Sequence, residues 1–124
     1  MKALALDYGS ARTGVAVSDP TGTVVRPLVT VAKATRDAGF AKLLGVIAAE
    51  APAVVVVGLP LTLRGEHGIQ ARETLAFVER LRAAVEVPVE TYDERFTSVL
   101  ADGDDARAAA HLLTDWLQWQ SNRP

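Results

Sequence analysis

The run Val54-Val55-Val56-Val57, preceded by Pro52 and closed by Gly58-Leu59-Pro60, constrains this chain more than any other feature. Four consecutive β-branched residues leave no polar face for water, which is how a strand buried on both sides reads. Such a strand belongs inside a sheet, covered above and below by helices. Upstream, Lys2 to Asp7, Thr13 to Ser18 and Thr23 to Val31 read as three strands. Gly9-Ser10 with Gly14 suits a tight first hairpin, and Asp19-Pro20-Thr21-Gly22 suits a second turn, so the three form an antiparallel meander. Asp37 to Glu50 carries Phe40, Leu43, Leu44 and Ile47 at helical spacing until Pro52 stops it. Gly68 to Val85 is helical again through Ile69, Arg72, Leu75, Val78 and Leu81, and Val87 to Thr91 returns as a short strand. The last element, Asp105 to Gln118, sets Asp105, Ala109, Leu112 and Trp116 on one stripe.

This order predicts an α/β fold: a mixed five-stranded sheet, three antiparallel strands then two parallel, with the first strand in the middle and helices on its faces. A chain of 124 residues is the size of one domain, expected here over 1–124, and buries roughly two thirds of its unfolded surface. Apolar residues at 49% and charged residues at 23% fit an ordinary globular mixture and exclude a disordered or fibrous chain. The apolar stretches are too short and broken to cross a membrane, and strand-like sequence follows Met1, so a cytoplasmic protein with no membrane partner is expected. Without cysteine there is no disulfide or thiolate, and any metal must sit on oxygen or imidazole. The net charge of −2 runs against a broadly phosphate-binding surface, leaving local arginines such as Arg12, Arg64 and Arg95 to meet phosphates.

The acidic residues carry the chemistry. Asp7 ends the first strand at its carboxyl edge, where ligand sites of open α/β sheets gather, although an aspartate there also caps turns. Asp93-Glu94-Arg95 follows the last strand and reaches the same edge if that strand is parallel to the first; alternation turns only one of the two acids toward Asp7. Asp105 shares the stripe of Ala109 and Trp116 and so faces the sheet, while either Asp104 or Asp105 also suits a helix cap. Like charges 4 Å apart repel by about 4 kcal/mol at an effective dielectric near 20, so acids gathered at one edge call for cations. Hard oxygen ligands point to Mg2+ or Mn2+. His67 and His111 read as solvated side chains, Trp116 as core and Trp119 as partial surface.

The segments LALDYGSARTGVAVSD (Leu4 to Asp19), VVVVGLPLTLRGEHGIQAR (Val54 to Arg72) and TYDERFTS (Thr91 to Ser98), in this order over nearly the whole chain, resemble the YqgF/RuvX family. Its members are described as Holliday junction resolvases or pre-16S rRNA nucleases with an RNase H-like fold. The resemblance implies metal-binding catalytic acids at Asp7, Glu94 and Asp105, with Asp93 supporting. It places Arg12, Arg64 and Arg95 near phosphates, and Thr97 and Ser98 on the nucleic-acid backbone. Val99 to Asp105 is shorter and more acidic than the family's usual segment, which favours ribosomal RNA over a four-way junction.

The expected function is therefore two-metal hydrolysis of phosphodiesters in structured RNA or branched DNA, by a monomer or homodimer, with processing of the pre-16S rRNA end preferred to junction resolution. Two other classes compete. An actin-like nucleotide-binding module would use Asp7 to Gly14 to cradle ATP phosphates, but it needs two lobes. A non-catalytic scaffold would keep the fold and lose the chemistry.

Overall fold

The computed structural model describes residues 1–62, 64–94 and 104–123. Its elements are β1 (Ala3–Asp7), β2 (Arg12–Ser18), β3 (Val25–Ala32), α1 (Asp37–Glu50), β4 (Val54–Leu59), α2 (Ile69–Ala84), β5 (Val89–Asp93) and α3 (Asp105–Ser121). The five strands form one sheet in the order β3-β2-β1-β4-β5. β1 and β2 are antiparallel, as are β2 and β3, whereas β1–β4 and β4–β5 are parallel. The expected mixed sheet, with the first strand in the middle, is what the chain adopts.

Alternation in β1 explains the layers. Leu4 and Leu6 join Val15, Val31, Val55, Val57 and Val89 on one face, under Phe40, Leu43 and Ile47 of α1 and Phe77, Val78 and Leu81 of α2. Ala3 and Ala5 join Ala16, Val54 and Val56 on the other, under Ala109, Leu112, Leu113 and Trp116 of α3. Alanines on that second face let α3 and its bulky, fully buried Trp116 lie close to the sheet. The valine run of β4 supplies both faces, and Val54 to Leu59 are all buried. Trp119, as expected, remains 45% exposed.

The turn after β2 is built on Asp19, whose carboxylate accepts from Thr21 Oγ1 at 2.6 Å and from the amides of Thr23 and Val24 at 2.8 and 2.9 Å. These bonds hold its pKa down to about 2. Helix α1 ends at Ala51, in the left-handed region (φ 48°), with its amide donating to the Ile47 carbonyl just before Pro52.

Some boundaries and one helical face differ from expectation. β5 begins at Val89 rather than Val87; Pro88 has no amide to donate and joins the ladder only through its carbonyl, which accepts from the Val55 amide at 2.9 Å. β3 begins at Val25, since Thr23 and Val24 bond to Asp19 instead of a neighbouring strand. In α2 the buried stripe is Ala71, Thr74, Phe77, Val78 and Leu81; Ile69 lies in the first turn and is 70% exposed. Among the described residues no helix is long and apolar enough to cross a membrane.

Candidate functional site

Asp7 continues the face of Ala3 and Ala5 and therefore points toward α3, at the carboxyl end of the middle strand. Its partner across the β1–β2 ladder is Gly14. Gly14 lies within β2, as its place in the strand Thr13 to Ser18 implied, and what it supplies there is an absence of side chain. A Cβ there would overlap the backbone carbonyl of Asp105 and crowd the amide of Ala106. The first turn of α3 rests directly on the β2 backbone, and this sets Asp105 beside Asp7.

The neighbouring acids Asp104 and Asp105 divide the two roles open to them in the sequence. Asp104 is the helix cap, its Oδ1 accepting from the Arg107 amide at 3.1 Å. Asp105 is half-buried, and its Oδ2 accepts from Arg12 Nε at 2.8 Å. Arg12 opens β2 one residue from Thr13, with its side chain largely in solvent, so its guanidinium crosses the rim of the site.

Glu94 follows β5 and returns to the α3 face. Gly58 on β4 makes room for it: a Cβ at Gly58 would strike Glu94 Oε2 and lie 3.0 Å from Leu112 Cδ2. Asp93, opposite Leu59, alternates to the other face, as the strand period requires.

Electrostatics tie the three acids together. Burial, and then the charge of Asp105, push Asp7 from 3.8 up to about 6. Burial, followed by the charges of Asp7 and Asp93, pushes Glu94 from 4.5 up to about 7. Two partly desolvated carboxyls that repel each other form an environment a divalent cation relieves, and the oxygen-only donor set fits a hard ion. Among the described residues no three His, Asp or Glu side chains surround a common point closely enough to hold one ion. Asp105 has turned an oxygen to Arg12, so bringing a third carboxylate onto an ion requires that contact to yield.

One hollow adjoins Glu94, and a second lies beside the first. A cavity of about 130 Å³ is lined by Tyr8, Gly9, Ser10, Pro60, Gln70, Glu73 and Glu94. A larger one, about 450 Å³, shares Tyr8, Ser10 and Glu73 with it and extends to Phe77 and Arg80. Glu73 was not singled out from the sequence, because its position on α2 looks like any solvated helical glutamate. Gly58 was read only as the end of a strand, though its Gly-after-valine position is a usable sign of close approach. Arg64 and His67 are exposed in the loop after Pro60, and His111 is exposed on α3. Arg95, Thr97 and Ser98 lie outside the described residues.

The comparisons with known proteins agree with one another. A protein of Oleidesulfovibrio alaskensis named "Putative pre-16S rRNA nuclease" is 47% identical over 109 residues, covering 88% of this chain and 75% of its own length. One of the same name from Chloroflexus aurantiacus is 42% identical over 136 residues, covering 98% of this chain and 89% of its own. Thermus thermophilus RuvC, solved in complex with a Holliday junction substrate, superposes with a TM-score of 0.63 at 18% identity, covering 98% of this chain and 96% of that one. That likeness identifies the fold as RNase H-like. The model of the family described as "RuvX: Holliday junction resolvase" matches residues 1–119, and the chain belongs to that family.

Proposed function

We propose that this protein is a metal-dependent nuclease that hydrolyses phosphodiester bonds in structured nucleic acid, with the 16S rRNA precursor as its substrate. The observation that carries the reading is the convergence of Asp7, Glu94 and Asp105 on one face of one sheet edge, each delivered by a different element. The names of the curated relatives supply the substrate class.

Asp7, Glu94 and Asp105 would hold Mg2+ or Mn2+. Such ions polarise the phosphoryl oxygens, lower the pKa of an attacking water and stabilise the leaving oxygen. The chain's own residues do the rest. Asp7, on the middle strand, is the acid nearest both others and fixes the centre of the site. Glu94 and Asp105 approach from opposite sides. Arg12, once released from Asp105, offers a planar cation to the phosphate at the rim. Glu94, pushed up to about 7 by burial and by the charges of Asp7 and Asp93, would give up its proton when a cation binds.

Junction resolution is the second reading, favoured by the description of the family. One experiment addresses both. Labelled precursor rRNA, linear single strands and a four-way DNA junction are incubated with Mg2+ or Mn2+ and either the parent chain or Asp7→Asn. Metal-dependent cutting of the rRNA by the parent alone is expected. Preferential cutting of the junction selects the second reading; no cutting of any substrate, or equal cutting by both proteins, refutes the nuclease and leaves a scaffold.

A further inference from the structure

Asp7, the last residue of β1, and Tyr8, which follows it, point to opposite sides of the sheet. Asp7 faces α3 and the carboxylates, whereas Tyr8 faces α1 and α2, where its ring stacks on Phe77 at 4.5 Å and 23°. The two cavities meet at this strand end. The small one opens beside Glu94, and the large one continues from Tyr8, Ser10 and Glu73 along the outside of α2 to Arg80. They share Tyr8, Ser10 and Glu73, which places the aromatic-lined hollow next to the cavity that Glu94 lines.

We propose that this hollow is a binding site for an unpaired nucleobase, the one adjoining the phosphate held at the acids, and that Glu73 selects guanine there. The inference rests on the nuclease reading for its phosphate and on the following chemistry for its base. The walls are largely apolar, supplied by Tyr8, Ala76 and Phe77, and its volume lies within the ordinary range for small-molecule sites. The Glu73 carboxylate disfavours a phosphate in this hollow. The Glu73 charge also faces the Tyr8 hydroxyl, adding to burial in pushing its pKa up. Arg80, the nearby cation, is already committed: it donates to the Thr35 carbonyl at 2.6 Å and to Asp37 at 3.2 Å, and covers the Phe40 ring at 3.9 Å. What remains is a flat, neutral group with hydrogen-bond donors on its edge. An ionised carboxylate accepts only, and guanine alone among the four common RNA bases presents two adjacent donors, N1–H and N2–H, on its Watson–Crick edge. Unpaired bases are held in this way, by aromatic side chains and edge hydrogen bonds. Gln70 and Ser10, nearer Glu94, lie along the path between base and phosphate.

The test uses single-stranded RNA oligonucleotides of one sequence with guanosine, inosine or uridine at a single position. Inosine keeps the shape of guanosine and lacks the N2 amine. Binding by fluorescence anisotropy and cleavage with Mg2+ are measured in parallel for the parent, Glu73→Gln and Ala76→Trp. Glu73 and Ala76 are exposed on α2, and circular dichroism verifies that both variants fold. The parent is expected to favour guanosine over inosine by roughly ten-fold, the usual worth of a base-edge pair. Glu73→Gln, by removing the charge, and Ala76→Trp, by filling the hollow, are expected to bring that ratio toward one. Guanosine preference in binding without any cleavage supports the base site and refutes the nuclease. Cleavage with no base preference, or a preference unchanged in both variants, overturns the base site and leaves the nuclease standing. Neither binding nor cleavage overturns both.

Discussion

Replacing Asp7 by asparagine should make the metal-free protein more stable above neutral pH while abolishing its response to metal. The parent pays for its site: folding confines Asp7 where burial and Asp105 lift its pKa from 3.8 to about 6. That displacement corresponds to roughly 3 kcal/mol at about 1.36 kcal/mol per pH unit, and solvent access to a half-buried carboxyl reduces it to about 1 to 2 kcal/mol. The sign follows from proton counts. The folded value lies above the unfolded one, so between about pH 4 and pH 6 the folded chain keeps a proton that the unfolded chain has lost, and stability falls as pH rises through this window. Glu94 extends the same slope to about pH 7. Asparagine carries no charge to desolvate and also relieves Glu94. Thermal unfolding in chelator should therefore place the variant about 3 to 8 °C above the parent at pH 8. The difference should shrink toward pH 4. Added Mg2+ should raise the melting point of the parent only. An asparagine variant that is less stable than the parent by the same amount at both pH values would mean that Asp7 is held by favourable bonds, and the argument from repulsion would fail.

Four further outcomes follow from the same geometry. Gly58→Ala pushes a methyl group into the Glu94 carboxylate, whose flexible end can move, so stability should change little while metal-dependent cleavage drops by about a hundred-fold. Gly14→Ala meets helix backbone, which cannot yield as easily; about 1 to 3 kcal/mol of stability should be lost in denaturant titration, with activity falling alongside. Arg12→Ala frees Asp105, so calorimetric titration should show Mn2+ binding several-fold tighter even as phosphodiester turnover slows. At limiting Mg2+, cleavage should rise with pH through about 6 to 7 as Asp7 and Glu94 ionise, and higher Mg2+ should move this limb to lower pH. A limb indifferent to Mg2+ would assign the titration to some other group.

Periodicity made most of this fold legible. The valine run of β4 required an interior strand, and the alternation ALALD already sorted leucines from alanines and set Asp7 on the alanine side. Convergence of the acids followed from parallel strand ends and needed no contact information. Less was legible where a residue acts through what it lacks. Gly14 and Gly58 matter because backbone or carboxylate occupies the space of their missing side chains, and no local pattern announces a neighbour 91 or 36 positions away in the chain. The stripe of Ala109 and Trp116 set Asp105 toward the sheet, but which of Asp104 and Asp105 caps the helix was left open, and the packing of the first turn on Gly14 gives the cap to Asp104. Ile69 misled because the stripe that packs runs through Ala71, Thr74, Phe77, Val78 and Leu81, and Ile69 lies on a different side of α2. The pairing of Arg12 with Asp105 joins residues 93 apart and depends wholly on the docking of α3.

That docking also decides when the three acids can first stand together. Five strands and two helices, with Asp7 and Glu94 in place, precede α3 in the chain, yet the third carboxylate arrives only when the final helix settles on β2. If Asp7, Glu94 and Asp105 are the set proposed above, a nascent or partly unfolded chain carries it incomplete, and hydrolytic competence coincides with completion of the fold.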